Sequence, residues 1–469
     1  MAKKTRPAVL ERVTIGDMVE KGRCVARSGD LVLFVNQVAP GDVADLRVVR
    51  KKKGHAEAVP VHIHQHGAGR TTPFCEHFGI CGGCQWQHVQ YATQLAAKEQ
   101  MVREKLVHLG HFQDPPVAPI IGATDTEYYR NKLEFTFSNK RWLSAEEIQG
   151  DTPLDRHAAG FHRPGFFDKI VDVQHCHLQS DPSNDIRNAL KQFAQEQDLS
   201  FYDLYRHQGL LRNLTVRTAS TGQVMVVVQF GEPATAQIEQ VMNFLQAQFP
   251  QLTSLQYVVN TKKNETFYDL PVQVYAGNPF ITEQLDGLQF RIGPKSFFQT
   301  NTAQAEVLYR KIKELAGLQG DELLYDLYTG VGSIGIFLAQ YARHVVGLEV
   351  TAAAIADAKD NATLNRITNT TFMAGEVEQL LNEAFLATHG TPDIVVTDPP
   401  RAGMHPRVIQ QLLQVAPQRI VYVSCNPATQ ARDLALLHEK YQLMTAQPVD
   451  LFPHTSHVEN IALLTLTAS

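Results

Sequence analysis

No stretch of the 469-residue sequence approaches the roughly 18 uninterrupted apolar residues that a membrane-spanning helix needs. Nor does an apolar run follow the basic start, Met1-Ala-Lys-Lys-Thr-Arg-Pro, so a secretory leader is not expected. The reading is a cytoplasmic monomer with no membrane partner. Excess positive charge is also lacking: 43 Lys and Arg stand against 48 Asp and Glu, a net charge of −5. Bulk charge therefore does not advertise a nucleic-acid partner. Cysteine is scarce, six residues in all, which argues against a disulfide scaffold in a chain this long. Internal repeats and low-complexity tracts are missing, which excludes solenoids and compositionally biased linkers. What remains, 44% hydrophobic and 19% charged, is globular composition at a length that implies two to four domains.

Charge is concentrated where the total hides it. Lys3, Lys4 and Arg6 lie at the start, and Arg47, Arg50, Lys51, Lys52 and Lys53 form a dense block. Such a block either contacts phosphates or is a solvated loop. Around it, residues 10–66 read as short strands broken by turns such as Ser28-Gly-Asp and Val38-Ala-Pro-Gly-Asp, the pattern of a small β-barrel. His62, His64 and His66 alternate, as a metal-binding face or as an ordinary solvated strand. The predicted domains are a barrel over 1–67, a central α+β domain over 68–290, and an α/β domain over 291–469. The central part holds a helix at 92–109, strands starting at Leu133, Leu214 and Gln223, and a helix at 237–249. Beyond 291, strands at Leu323, His344, Asp393 and Arg419 alternate with helices, which predicts a parallel sheet covered on both faces.

Asp326-Leu-Tyr-Thr-Gly-Val-Gly-Ser-Ile-Gly lies at a strand end and opens a helix, where glycines let backbone approach a ligand. Gly330, Gly332 and Gly335 fit a dinucleotide spacing, and Glu349 ends the next strand, in reach of ribose hydroxyls. Against a nicotinamide cofactor stand the acidic residue Asp326 on the first strand and Asp398-Pro-Pro-Arg at a later strand end. That pair favours S-adenosylmethionine.

Arg419-Ile-Val-Tyr-Val-Ser-Cys-Asn-Pro places Cys425 at the C-terminal end of a predicted parallel strand, where open α/β sheets bind ligands. A thiol there suits chemistry on uracil. Attack on C6 makes the ring an enolate, C5 becomes nucleophilic, and a base must then remove the C5 proton. Glu459, at the start of the last strand, is the expected base, with His454 and His457 as alternatives.

These motifs, with Lys295-Ser-Phe-Phe-Gln-Thr-Asn, Thr397-Asp-Pro-Pro-Arg-Ala-Gly and His457-Val-Glu, resemble the bacterial RNA 5-methyluridine methyltransferases. The resemblance covers nearly the whole chain and includes a barrel similar to a TRAM domain. It implies a Rossmann-like class I methyltransferase domain, with Cys425 as nucleophile and Glu459 as base. It further implies contacts to S-adenosylmethionine from Gln299, Tyr328, Glu349 and Asp398. It implies two further cofactor positions, Ser333 and Glu376, which stand where asparagines are familiar. Arg130, in Tyr129-Arg-Asn-Lys, resembles an RNA-contacting stretch.

Cys75-x5-Cys81-Gly-Gly-Cys84 and the distant Cys176 supply four thiolates, a set that fits zinc or iron–sulfur. The segment Cys-Gly-Gly-Cys-Gln-Trp-Gln-His resembles the iron–sulfur members, which favours a [4Fe–4S] cluster and 23S ribosomal RNA as substrate. Cys24 reads as a barrel core residue. The transfer RNA members, expected to lack barrel and cysteines, are the alternative. An exocyclic-nitrogen methyltransferase would not need Cys425, and a 5-methylcytidine enzyme would carry a Pro-Cys pair near Asp398. A non-catalytic RNA-binding protein would not need the complete set.

Overall fold

The computed structural model describes residues 9–150 and 153–467. Lys3, Lys4 and Arg6 lie outside the described residues. Strands β1 (Val9–Val19), β2 (Arg23–Ser28), β3 (Leu31–Asn36), β4 (Val43–Lys52) and β5 (His55–Gln65) form a closed barrel in the order β1-β2-β3-β5-β4. Alternate residues fill it: Cys24 and Ala26, Leu33 and Val35, Ala44 and Leu46, Ala56 and Ala58 are all buried. Cys24 is thus a core thiol, donating to the Val38 carbonyl at 3.2 Å. The β4–β5 hairpin carries Arg47, Arg50, Lys51, Lys52 and Lys53, all exposed. His64 is held by Asp45 at 2.8 Å.

The helix Tyr91–His108 does not belong to the central sheet. Its Met101 enters the barrel core, while Val102 and Leu106 pack among residues of the C-terminal sheet. It wedges barrel and C-terminal sheet together.

The central sheet contains β6 (Lys132–Ser138), β7 (Ala158–His162), β8 (Ile170–Asp172), β9 (Leu211–Thr218), β10 (Val224–Phe230), β11 (Ser254–Val259) and β12 (Gln273–Gly277), ordered β12-β11-β10-β9-β6-β7-β8. Two helices cover it, Ser183–Glu196 and Thr235–Gln248. The first was not expected from sequence. Its apolar stripe is narrow, with Ile186, Leu190 and Ala194 buried at successive fourth positions in an otherwise polar segment.

The hairpin of β13 (Ile281–Leu285) and β14 (Leu288–Ile292) buries its residues in the C-terminal core, so that core begins ahead of residue 291. Seven strands follow: β15 (Leu323–Leu327), β16 (His344–Glu349), β17 (Thr370–Ala374), β18 (Ile394–Thr397), β19 (Arg419–Ser424), β20 (Tyr441–Val449) and β21 (Glu459–Leu466). Their order is β17-β16-β15-β18-β19-β21-β20. The first five are parallel, and β21 runs antiparallel between β19 and β20. This is the doubly wound class I methyltransferase sheet expected, with a mixed α/β architecture and an N-terminal barrel. Among the described residues no helix is long and apolar enough to cross a membrane.

Candidate active site

At the end of β15 the chain turns through Tyr328, whose φ of 64° is left-handed, a conformation a bulky residue holds only where its surroundings dictate it. Gly332 opens the helix Ser333–Ala339 at φ 80°. A Cβ on Gly335 would stand 2.8 Å from Oδ2 of Asp326, so glycine is what lets the helix settle over that carboxylate. Asp326 accepts the Thr329 hydroxyl through Oδ2, while its buried Oδ1 has no partner. Burial, reinforced by the charge of Glu349, pushes its carboxyl up to about 7. The Gly330 amide donates to Glu349 at 3.3 Å, and the Thr351 amide donates to the same carboxylate at 2.9 Å. These hydrogen bonds tie the glycine loop to the end of β16.

The other expected cofactor residues are placed unequally. Asp398 follows β18, its amide donating to the Leu327 carbonyl at 3.3 Å, and burial together with the charge of Asp326 raises its carboxyl. Gln299 is buried ahead of the helix Thr302–Ala316, its carbonyl accepting from Asn131 at 2.9 Å. Tyr328 is half-buried, and burial raises its hydroxyl to about 12. Ser333 shares a 2.8 Å hydrogen bond with the Tyr309 hydroxyl. Glu376 is exposed and its carboxylate accepts from Gln379. An unpartnered buried carboxylate oxygen beside an open glycine turn suits a polar, cationic ligand such as S-adenosylmethionine.

Cys425 directly follows β19. Asn426 then caps the helix Pro427–Leu437, with Pro427 at its first position, so the positive end of the helix dipole adjoins the thiol. The β19–β21 register pairs Ser424 with Asn460. Continued by one residue, it sets Cys425 opposite Glu459 on one face of the sheet. Burial, then the charges of Glu459 and Asp398, push the Cys425 thiol up to about 11, while Arg401 pulls it down through charge and a hydrogen bond. Glu459 is buried, and burial together with Asp398 raises its carboxyl.

Arg401 was not singled out by the sequence reading, although it lies in the Asp-Pro-Pro-Arg motif. Its carbonyl accepts from Asn426 at 2.9 Å and Thr429 at 3.1 Å, and its guanidinium meets His457 Nδ1 at 3.3 Å. It is the cation facing the thiol. His457 shares with Cys425 and Arg401 a cleft of about 350 Å³ whose far wall is Lys21 of the barrel. His454 is buried against Gln94, its ring pushed down to about 4 by burial and by Lys98, and it does not line that cleft.

The structure brings Cys75, Cys81, Cys84 and Cys176 to the wall of one cavity of about 500 Å³, which also reaches Arg130 and Arg401. Burial pushes Cys81 and Cys84 up to about 12. Among the described residues, however, no three His, Cys, Asp or Glu side chains come together closely enough to hold a metal ion. The four thiols thus share one cavity without forming an assembled metal-ligand group, and the alternating histidines 62, 64 and 66 form none either.

An open sheet with an acidic glycine loop, and a thiol facing a carboxylate across its antiparallel strand, defines a class I methyltransferase. The sequence profile of the tRNA (uracil-5-)-methyltransferase family matches residues 273–467. An uncharacterized RNA methyltransferase of Bacteroides thetaiotaomicron is 49% identical over 453 residues, spanning 96% of this chain and 100% of that protein. One from Chlorobaculum tepidum is 39% identical over 459 residues, spanning 96% and 95%. Among solved structures, the Pyrococcus abyssi tRNA (uracil-54, C5)-methyltransferase in complex with S-adenosyl-L-homocysteine superposes with a TM-score of 0.73 at 28% identity, covering 97% of this chain and 100% of that one. The chain belongs to the RNA methyltransferases, the family of these relatives, and its C-terminal part is similar to the tRNA (uracil-5-)-methyltransferases.

Proposed function

We propose that this chain methylates C5 of a uridine in 23S ribosomal RNA through a covalent bond between Cys425 Sγ and uracil C6. One observation carries the reading: Cys425 lines a cleft walled by the barrel, and the β19–β21 register, continued one residue past Ser424–Asn460, sets the buried Glu459 opposite it, close enough for its charge to act on the thiol. Arg401 stabilises the Cys425 thiolate, which adds to C6 and leaves electron density at C5. S-adenosylmethionine, when bound by Gln299, Tyr328, Glu349 and Asp398, supplies the electrophilic methyl carbon. Glu459 then takes the C5 proton, the C6–S bond breaks, and Cys425 is released. The exposed Arg47–Lys53 block gives the barrel a phosphate-binding face.

Ribosomal RNA is favoured by the four cysteines beside the barrel. We propose that Cys75, Cys81, Cys84 and Cys176 hold a [4Fe–4S] cluster, because four soft thiolates around a cavity suit a multi-iron core better than a single ion. Transfer RNA is the second reading. The Pyrococcus abyssi enzyme spans this chain almost entirely, so a full-length match, barrel region included, does not separate the two substrates. Mapping 5-methyluridine in ribosomal and transfer RNA, from cells with this protein, without it, and with Cys425→Ala, tests the reading. A 23S site that vanishes in the last two supports it. Loss confined to transfer RNA moves the substrate, and no change at any uridine refutes it.

A further inference from the structure

The connection Asp450–Val458 leads from β20 directly into Glu459, and it has no regular structure of its own. At its centre His454 sits at φ 64°. A left-handed histidine persists only where its neighbours over-determine it. The neighbours come from the segment just after Cys84. The Gln85 and Trp86 amides both donate to the His454 carbonyl, at 2.8 and 3.0 Å. The His454 amide donates to Gln94 Oε1 at 2.9 Å. Gln85 Oε1 accepts from the Ser456 amide at 3.2 Å and its hydroxyl at 2.9 Å. Lys98 and the Tyr129 hydroxyl take the Phe452 and Pro453 carbonyls, each at 3.0 Å. Backbone groups that a sheet or helix would pair are thus paired by side chains and amides from elsewhere.

Of the contacts made by the segment after Cys84, those of Gln85 come nearest the base in sequence: its oxygen fixes Ser456, three residues before Glu459. Gln85 also lies on the wall of the Cys425 cleft, so direct contact with substrate is the competing role. The oxygen already accepts two hydrogen bonds from Ser456, which leaves it committed to the loop. We infer that Gln85 is a positioning residue for proton removal: it holds the 454–456 turn so that the Glu459 carboxylate reaches the C5 proton. This rests on the reading of Glu459 as base.

The role separates two steps. Addition of Cys425 and methyl transfer do not require Glu459, whereas release of the adduct does. Gln85→Met keeps the side-chain volume and removes the acceptor; Gln85→Glu keeps an acceptor oxygen. The experiment follows single-turnover methyl transfer and adduct decay with uridine-containing RNA, on wild type, Q85M, Q85E and E459Q. The expectation is methyl transfer in Q85M close to wild type, adduct decay slowed on the order of 100-fold, the usual cost of misplacing a reacting group by about 1 Å, and recovery in Q85E. A raised KM for RNA with normal decay would overturn the inference and make Gln85 a substrate contact. Unchanged kinetics in Q85M would overturn it as well, as would loss of methyl transfer and decay in equal measure. If E459Q itself accumulates no adduct, the reading of the base has failed; if E459Q does and Q85M does not, only the positioning role has.

Discussion

Lys98 and Asp450 meet at 2.6 Å with both side chains wholly buried, joining the helix that wedges the barrel to the loop that leads into Glu459. Asp450 also accepts the Tyr91 hydroxyl at 2.9 Å, so the pair is well satisfied. Desolvation lowers the Lys98 ammonium while Asp450 raises it, the balance found where a buried charge depends on its partner. Removing one member leaves the other uncompensated. Lys98→Met should therefore destabilise the protein by about 3–5 kcal/mol, read as a lower urea midpoint. A midpoint unchanged from wild type would mean that the pair is not formed in solution.

The buried carboxyl of Asp326 should give the proposed cofactor site a pH dependence. Its folded value, pushed up to about 7 from 3.8, means that the protonated form is favoured on folding. The stability this contributes is present in acid and is lost as pH rises through about 7. A cationic sulfonium placed nearby favours the ionised form, so S-adenosylmethionine should bind more tightly as pH rises toward 7. The slope can reach about tenfold per pH unit. Titration calorimetry from acid to neutral pH should show this with proton release, and Asp326→Asn should flatten it. Affinity independent of pH in wild type would contradict the assignment.

The cysteine cavity makes a compositional prediction. Protein purified without oxygen should be brown and contain about four irons and matching sulfide per chain, as a [4Fe–4S] centre requires. Cys176→Ser should bleach it and weaken RNA binding while leaving S-adenosylmethionine binding intact. Stoichiometric zinc in place of iron would replace the cluster proposal, and the assignment of Cys425 would stand.

How far the sequence could be read depended on the range of the interactions. The barrel showed itself because alternation and turn residues are local signals, and Cys24 fell in its core as expected. The strand ends carrying Asp326, Glu349, Asp398 and Cys425 were legible because each motif follows a β-rich run. The antiparallel return of β21 was legible only through the fold class. Arg401 lay in a quoted motif, but its role depends on Asn426 and Thr429 gripping its carbonyl, which spacing does not encode. Lys98 and Asp450 lie 352 positions apart, and Gln94 and His454 lie 360 apart, so one sequence offers no means of pairing them. The β13–β14 hairpin reads in sequence as any hairpin, and only packing assigns its apolar residues to the C-terminal core.

In the proposed reaction a covalent Cys425–uracil intermediate forms, and only Glu459 resolves it. The most direct measurement incubates Glu459→Gln protein with S-adenosylmethionine and uridine-containing RNA, then separates the products on a denaturing gel and maps the modified peptide by mass spectrometry. The predicted result is a protein–RNA adduct carrying the transferred methyl and attached through Cys425, absent when Cys425→Ala is added to the same protein. Full turnover by Glu459→Gln, or an adduct attached at any other residue, would contradict it.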